Sequence, residues 1–433
     1  MPGEVVTERQ TALQCNAAEE SGCSAAEAER RVQAACMGPA RLRSIPTREL
    51  VARVGRVVEA WLQPDSFWMA KAVAKLPAAT GFHQRMIAHA LPFQLEMVMA
   101  SELLKFLDRE IGPPEVMDHR DRPQRLVVHI ISGNIPALAA VPMVLGVVTK
   151  QPTIIKPAAG DPLFAHLFWE SMHSLDPEIC AALAVIDWRG GVSPAEAVVL
   201  DAADVVVAMG GTEAMAALAQ RVGRRLHALG PRLSFAFIGR ECLSGESEAG
   251  AWARALAYDV SVWDQRGCLS PQIAFVEDGA PVGPGDFARM LADSLAGLCT
   301  ELPPRRLALE EQLAVIAFRD EAEWRPGTEL LASTGSLNWA IALESSPRFL
   351  PTPLHRCVRI QPIADVRDLL PLLAPHKPLL EAAGVAVSPE RWARVRGVLF
   401  EAGVHWVTPL GSMQRPTLQW RPGGRSRIEG WFS

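Results

Sequence analysis

The chain lacks the patterns that would place it in several common classes. Its eight cysteines form no CxxC pair and stand in no metal-ligand spacing, so a zinc finger or a dithiol redox centre is not expected. The opening MPGEVVTERQ carries acids and has no apolar core segment, so no secretory signal is expected and the cysteines read as free thiols in a reducing cytoplasm. Positive charge is not in excess: the net charge of −5 gives no footing for nucleic acid, and Arg221, Arg224 and Arg225 read as solvated helix positions. Charge is missing altogether between Arg125 and Lys150, a run long enough to cross a bilayer. Ser132, Gly133, Asn134 and Pro136 interrupt that run, and polar turn-formers are costly inside a span. A buried strand followed by a buried helix accounts for it instead. Internal repeats and low-complexity segments are absent too.

What is present describes an α/β protein of two domains. At 433 residues the chain exceeds one ordinary core, and 49% hydrophobic with 21% charged residues is a globular balance. Residues 1–120 read as a mostly helical region packing on the rest, with Leu50, Val51, Val54, Val57, Val58 and Trp61 at helical spacing, and Leu95, Met99, Leu103, Phe106 and Leu107 likewise. From Arg125 short apolar runs alternate with helical ones: LVVHII, PTIIKP, ALAVIDW, DVVVAMG and LSFAFIG as strands, with helices between. That alternation predicts right-handed βαβ units and a mainly parallel sheet flanked by helices. Residues 121–240 are expected to form a Rossmann-like unit and 241–410 a second one, with strand QIAFVED, helix FARMLADSLAGLC, strands near 337–343 and 357–361 and helix DVRDLLPLLAPHK. Residues 411–433 read as a tail.

Ligands of such sheets sit at the C-terminal ends of the strands, and the distinctive residues fall there. The turn after the first strand is Ser132-Gly133-Asn134-Ile135-Pro136, with no GxGxxG. A dinucleotide bound here uses another geometry. Lys156-Pro157 follows the second strand, and Gly210-Gly211-Thr212-Glu213 a later one. Cys268, in DQRGCLSPQ, stands on an irregular connection between a helix and an apolar strand, where functional groups concentrate. Cys15, Cys23, Cys36, Cys180, Cys242, Cys299 and Cys357 lack that setting and read as small buried hydrophobes.

In this order and at these distances, Asn134, Lys156, Gly210-Gly211 and Cys268 resemble the aldehyde dehydrogenase superfamily. SGNIP, IIKPAAGDP, VVVAMGGTEA, DQRGCLSPQ, Pro353-Leu354-His355-Arg356 and LGSMQRPTLQW resemble, more narrowly, the LuxC family of acyl-CoA and acyl-protein reductases, from about Arg125 to the end. The resemblance implies an aldehyde-dehydrogenase-like fold and a nucleophile at Cys268. It implies that Asn134 and the Cys268 backbone N–H hold the oxyanion. Ser132, Lys156, Ala159, Gly210, Gly211 and Thr212 are then cofactor-binding. Two departures refine the expectation. Aldehyde-oxidising members carry a water-activating glutamate where HALGPR has Ala228, and a reductase has no use for that base. NAD-preferring members often carry a ribose-binding glutamate where this chain has Ala159, which leaves room for the 2′-phosphate of NADPH. The expected substrate is an acyl-CoA, acyl-carrier or acyl-protein thioester, with an acyl-activating synthetase as partner and a homo-oligomeric state. The competing expectations are an NAD-linked CoA-acylating aldehyde dehydrogenase and a non-reducing acyl acceptor.

Overall fold

The computed structural model describes residues 23–119, 123–191 and 193–432. Before the first strand lie helices α1 (Ala25–Met37), α2 (Pro39–Leu42), α3 (Thr47–Leu62), α4 (Phe67–Thr80), α5 (Gln84–Glu96), α6 (Ala100–Glu110) and α7 (Pro114–His119). The expected stripe from Leu50 to Trp61 is the buried face of α3. Trp61 donates from Nε1 to Ser171 Oγ at 2.8 Å, which ties this region to a helix of the first sheet. The stripe from Leu95 to Leu107 is split between two helices: α5 ends at Glu96, and Met99 is the extended residue that starts α6.

Five parallel strands follow: β1 (Val127–Ile130), β2 (Thr153–Lys156), β3 (Leu183–Val185), β4 (Val205–Met209) and β5 (Leu226–Leu229), in spatial order β3-β2-β1-β4-β5. Between them run α8 (Ala140–Val148), α9 (Leu163–Leu175), α10 (Pro194–Ala202) and α11 (Thr212–Val222). The charge-free run is β1 plus α8, a helix buried all round. Such a helix has no wet face to keep polar, so its sequence reads as a continuous apolar block. Among the described residues no helix is long and apolar enough to cross a membrane.

The second sheet contains β6 (Leu233–Ile238), β7 (Pro271–Glu277), β8 (Thr328–Ala332), β9 (Ala340–Glu344), β10 (Cys357–Ile363), β11 (Leu380–Ala386) and β12 (Trp406–Pro409), ordered β12-β11-β6-β7-β10-β9-β8. All its pairs are parallel except β8–β9. Its helices are α12 (Glu246–Ser261), α13 (Pro284–Glu301), α14 (Leu309–Trp324), α15 (Leu369–Leu373) and α16 (Pro389–Ala402).

Three expectations need correction. LSFAFIG is β6, in the middle of the second sheet, so the sheets divide between Leu229 and Leu233 and not at 240. Its alternation with neighbouring helices is the same whichever sheet receives it. Past the expected helix DVRDLLPLLAPHK no further element is expected, yet two strands and a helix (β11, α16 and β12) follow. LEAAGVA is poor in β-branched residues, yet all seven of its residues are buried, and burial in the sheet overrides weak propensity. Residues 411–432 are no loose tail: Met413, Leu418 and Trp431 are fully buried. Their path is set by Asp259, which accepts from the N–H groups of Gly411 at 2.6 Å and Met413 at 3.0 Å.

Candidate active site

Helix α12 stops at Ser261, and the chain turns through Trp263, Asp264 and Gln265 at φ of 57°, 48° and 64°. Left-handed backbone at three successive non-glycine residues costs about 1–3 kcal/mol each and persists only where the surroundings fix it. Here they do. Asp264 accepts from Arg356 Nε at 2.8 Å and from the Arg305 N–H at 2.9 Å, and Arg356 is wholly buried. The Gln265 amide bridges the backbone of Pro271 and Cys357, donating at 2.7 and 2.9 Å and accepting the Cys357 N–H at 3.1 Å. Arg266 reaches Glu311 at 2.8 Å. The partner segment is left-handed too, at Leu354, His355 and Arg356. DQR and PLHR are therefore two halves of one clamp that presents Gly267 and Cys268.

The loop is buttressed from the C-terminal segment. A Cβ on Gly267 would lie 3.2 Å from Gln414 Oε1, so this close approach favours glycine. Gln414 Nε2 donates to Asp259 O at 3.2 Å, and Arg415 stacks 3.9 Å above the Phe93 ring of α5. The MQRP motif thus braces the loop between α12 and the N-terminal helices. Cys268 O accepts from Ser234 Oγ of β6 at 2.7 Å.

Asn134 meets this loop. The chain runs outward from β1 to β2 and β3, then returns to β4 on the other side of β1, which makes the C-terminal ends of β1 and β4 a topological switch point. Asn134 lies just beyond β1, with Ser132 Oγ donating to its Oδ1 at 2.6 Å and its own Nδ2 donating to Arg266 O at 2.8 Å. Arg266 Nε returns a bond to Asn134 O at 3.2 Å. The turn is also packed against the one after β2: a Cβ on Gly133 would come within 3.1 Å of Ala158 Cβ and Gly160 Cα.

Lys156, at the end of β2, is paired with Ile130 and half-buried. Burial lowers the pKa of its ammonium, while Asp187 and Glu196 oppose that shift. Asp161, the obvious ion-pair partner by sequence, instead takes the Phe164 N–H at 3.1 Å and caps α9. Ala159 is exposed. After β4, Gly210 and Gly211 lead into α11, whose first residue is Thr212 and whose N-cap, Gly211, has no side chain to satisfy the helix N–H groups. A Cβ on Gly211 would meet open space. An uncapped N-terminus of an 11-residue helix suits a phosphate group. The structure thus brings Ser132, Lys156, Gly210 and Thr212 to neighbouring strand ends beside Asn134.

Cys268 is partly exposed, and desolvation raises its thiol pKa to about 12; nearby Glu381 adds to the rise, and Arg427 and Arg232 counter it. Of the remaining cysteines, Cys180, Cys242 and Cys357 are buried as expected, and Cys23 and Cys299 partly so. Cys36 is exposed, because it falls on the wet side of α1, and Cys15 lies outside the described residues. A cavity against β1, β4 and β5 has apolar walls from Val141, Pro142, Leu145 and Leu229, and Ala228 lines it, whereas Cys268 is not among its lining residues. His129, also on the wall, is driven down to about 3 by burial and is therefore neutral. Glu311, Glu381, Arg266 and Arg427 escaped the reading of the sequence. Arg266 stands within the DQRGCLSPQ motif, but Glu311 lies in a charged stretch and gives no local signal.

The fold is that of the aldehyde dehydrogenases. Similar solved structures include aldehyde dehydrogenase 21 of Physcomitrella patens in complex with succinate, with a TM-score of 0.67 at 12% identity over 93% of this chain and 84% of that one. Another is the NADP-dependent glyceraldehyde-3-phosphate dehydrogenase of Bacillus halodurans C-125 complexed with NADP, with a TM-score of 0.64 at 15% identity over 88% and 83%. Within that fold, the family model for acyl-CoA reductase (LuxC) matches residues 42–422, and the chain belongs to this family. Similar relatives are the long-chain acyl-protein thioester reductases of Vibrio harveyi, 26% identical over 65% of this chain and 61% of theirs, and of Photobacterium leiognathi, 25% identical over 67% and 59%. The chain therefore spans less than two thirds of those relatives' length.

Proposed function

We propose that this chain reduces an acyl thioester, carried by CoA, a carrier or a protein, to the aldehyde with NADPH through an acyl-Cys268 intermediate. The observation that supports it is the pair of hydrogen bonds joining Asn134 to Arg266, which brings the turn after β1 against the nucleophile's loop. The Cys268 thiolate attacks the thioester carbonyl carbon, forming the new S–C bond and expelling the carrier thiol, which takes up a proton. Asn134 Nδ2 has a second hydrogen beyond the one given to Arg266 O, and with the Cys268 N–H it stabilises the oxyanion. NADPH, when bound, supplies the hydride that converts the acyl group to the aldehyde level. Lys156, Ser132 and the α11 N-terminus at Gly211-Thr212 would hold that cofactor, with Ala159 adding no carboxylate against its 2′-phosphate. Ala228 places no carboxylate to activate water, so hydrolysis of the acyl-enzyme is not promoted.

The names of the relatives point to long-chain acyl-protein as the substrate class and, with it, to a partner that delivers the acyl group. The test is a panel of acyl-CoAs of graded length incubated with NADPH, following loss of absorbance and trapping the aldehyde. Aldehyde from the native protein and none from Cys268→Ala is expected, with the variant still binding NADPH. Equal turnover by the variant would discard the mechanism.

A further inference from the structure

A second cavity, of about 420 Å³, lies at the N-terminal ends of β9 and β10. Its walls are polar, unlike those of the cavity on the first sheet. Arg305, Arg306 and Arg356 set three positive charges against the single negative charge of Asp264, and Asn338 adds an amide. Two of these arginines are already answered: Arg356 is bonded to Asp264, and Arg305 donates to both oxygens of Glu311. Arg306 is exposed and forms no ion pair among the described residues. Arg305 Nε is out of solvent without a partner. His355, only 6% exposed, also lines the cavity, and its Nδ1 is out of solvent with no hydrogen-bond partner. Its Nε2 lies 3.6 Å from Glu311 Oε1. A buried polar atom left unbonded is unfavourable, and an anion in the cavity would let the ring take a second proton and be met on both sides.

We propose that this cavity binds a phosphate group of the acyl carrier, the diphosphate or the 3′-phosphate of a coenzyme-A-type thiol. The inference rests on the reading of the chain as an acyl-thioester reductase. Guanidinium forks match phosphate oxygens, and a polar cavity of this size suits a phosphate with part of the group that bears it. NADPH does not need the cavity for its own charge. In the proposed function its pyrophosphate and 2′-phosphate are met at the strand ends of the first sheet, by the α11 N-terminus and Lys156. A further anion site, on the second sheet, falls to the other substrate. Its place suits a carrier arm. Asp264, on the cavity wall, is four residues from Cys268, a span of at most about 14 Å, which a pantetheine arm can bridge. Asp264, His355 and Arg356 also belong to the clamp under the Cys268 loop, so the phosphate end of the substrate and the support of that loop share residues.

The test is equilibrium binding to the full chain by calorimetry, with no turnover. CoA, dephospho-CoA and pantetheine, which carries no phosphate, are titrated into the native protein and into Arg306→Ala, a change at an exposed side chain outside the clamp. CoA should bind the native protein more tightly than pantetheine, and Arg306→Ala should weaken CoA about tenfold, the contribution of one charge-assisted bond, with pantetheine unchanged. Dephospho-CoA separates the two phosphates: weakening of CoA alone assigns the 3′-phosphate, and weakening of both assigns the diphosphate. NADPH should bind the two proteins equally. Equal affinity of CoA and pantetheine for the native protein, native CoA affinity in a normally melting variant, or a loss confined to NADPH overturns the proposal. If the variant melts early, competition decides: inorganic pyrophosphate should displace CoA from the native protein, and failure to do so overturns it. Acyl-CoA reduction is assayed separately. A protein that reduces acyl-CoA while its CoA affinity ignores Arg306 fails this proposal alone, and Arg306-dependent CoA binding without reduction fails the reductase reading alone.

Discussion

Asn134 and Arg266 hold each other twice, side chain to backbone in both directions, at 2.8 and 3.2 Å. The two residues lie in loops of different sheets, so these bonds fix the turn after β1 relative to the loop that carries Cys268. Under the proposed mechanism, Asn134→Ala should lower kcat by about 10²–10³, as loss of one oxyanion donor does, with NADPH affinity unchanged. The lost bond to Arg266 O should also cost stability of about 1 kcal/mol. Steady-state kinetics and a denaturant titration on the same preparation separate the two effects. A normal kcat with lowered stability alone would reduce Asn134 to a turn residue.

The state of the thiol sets a pH dependence. With its pKa raised to about 12 by burial, Cys268 is protonated at neutral pH in the protein without cofactor. Only the thiolate reacts, so its alkylation rate should climb about tenfold per pH unit from neutral into the mildly alkaline range with no plateau. A plateau near neutrality would mean that the site lowers the thiol pKa before any ligand arrives.

The βαβ alternation of the first sheet was legible because parallel strands buried on both faces are continuous apolar runs, as in LVVHII and DVVVAMG. Asn134, Lys156 and Gly210 could be read because each follows such a run directly. β11 could not, since LEAAGVA owes its strand to neighbours: a Cβ on Gly384 would stand 2.5 Å from Met413 Sδ, a contact no local pattern encodes. The same holds for the assignment of β6 to a sheet and for the pairing of Asn134 with Arg266. Their partners lie in segments distant along the chain, and a one-dimensional periodicity carries no information on which distant segment answers.

The clamp under the Cys268 loop yields a stability prediction. Arg356 and Asp264 are both buried, and removing one partner strands the other charge. Arg356→Met should therefore destabilise the fold by about 3–5 kcal/mol in a urea titration. A loss under about 1 kcal/mol, the size of an exposed pair, would show that the left-handed turns at Trp263–Gln265 and Leu354–Arg356 are held by other contacts.

Cofactor choice is the sharpest consequence of the first sheet's strand ends. Lys156 is half-buried at the end of β2 and forms no ion pair among the described residues, and Asp161 is committed to capping α9. An ammonium pulled out of water in this way is stabilised by an incoming anion; Asp187 and Glu196 already act on it, and Ala159, exposed three residues on, adds no third carboxylate. NADPH should accordingly bind at least about tenfold more tightly than NADH, a difference of roughly 1.4 kcal/mol. Ala159→Glu should narrow or reverse that preference by setting a negative charge against the 2′-phosphate, and Lys156→Ala should weaken NADPH more than NADH. Fluorescence titration of both cofactors against the three proteins measures all of these constants. Equal affinity for NADPH and NADH in the native chain would refute the assignment and favour an NAD-linked enzyme.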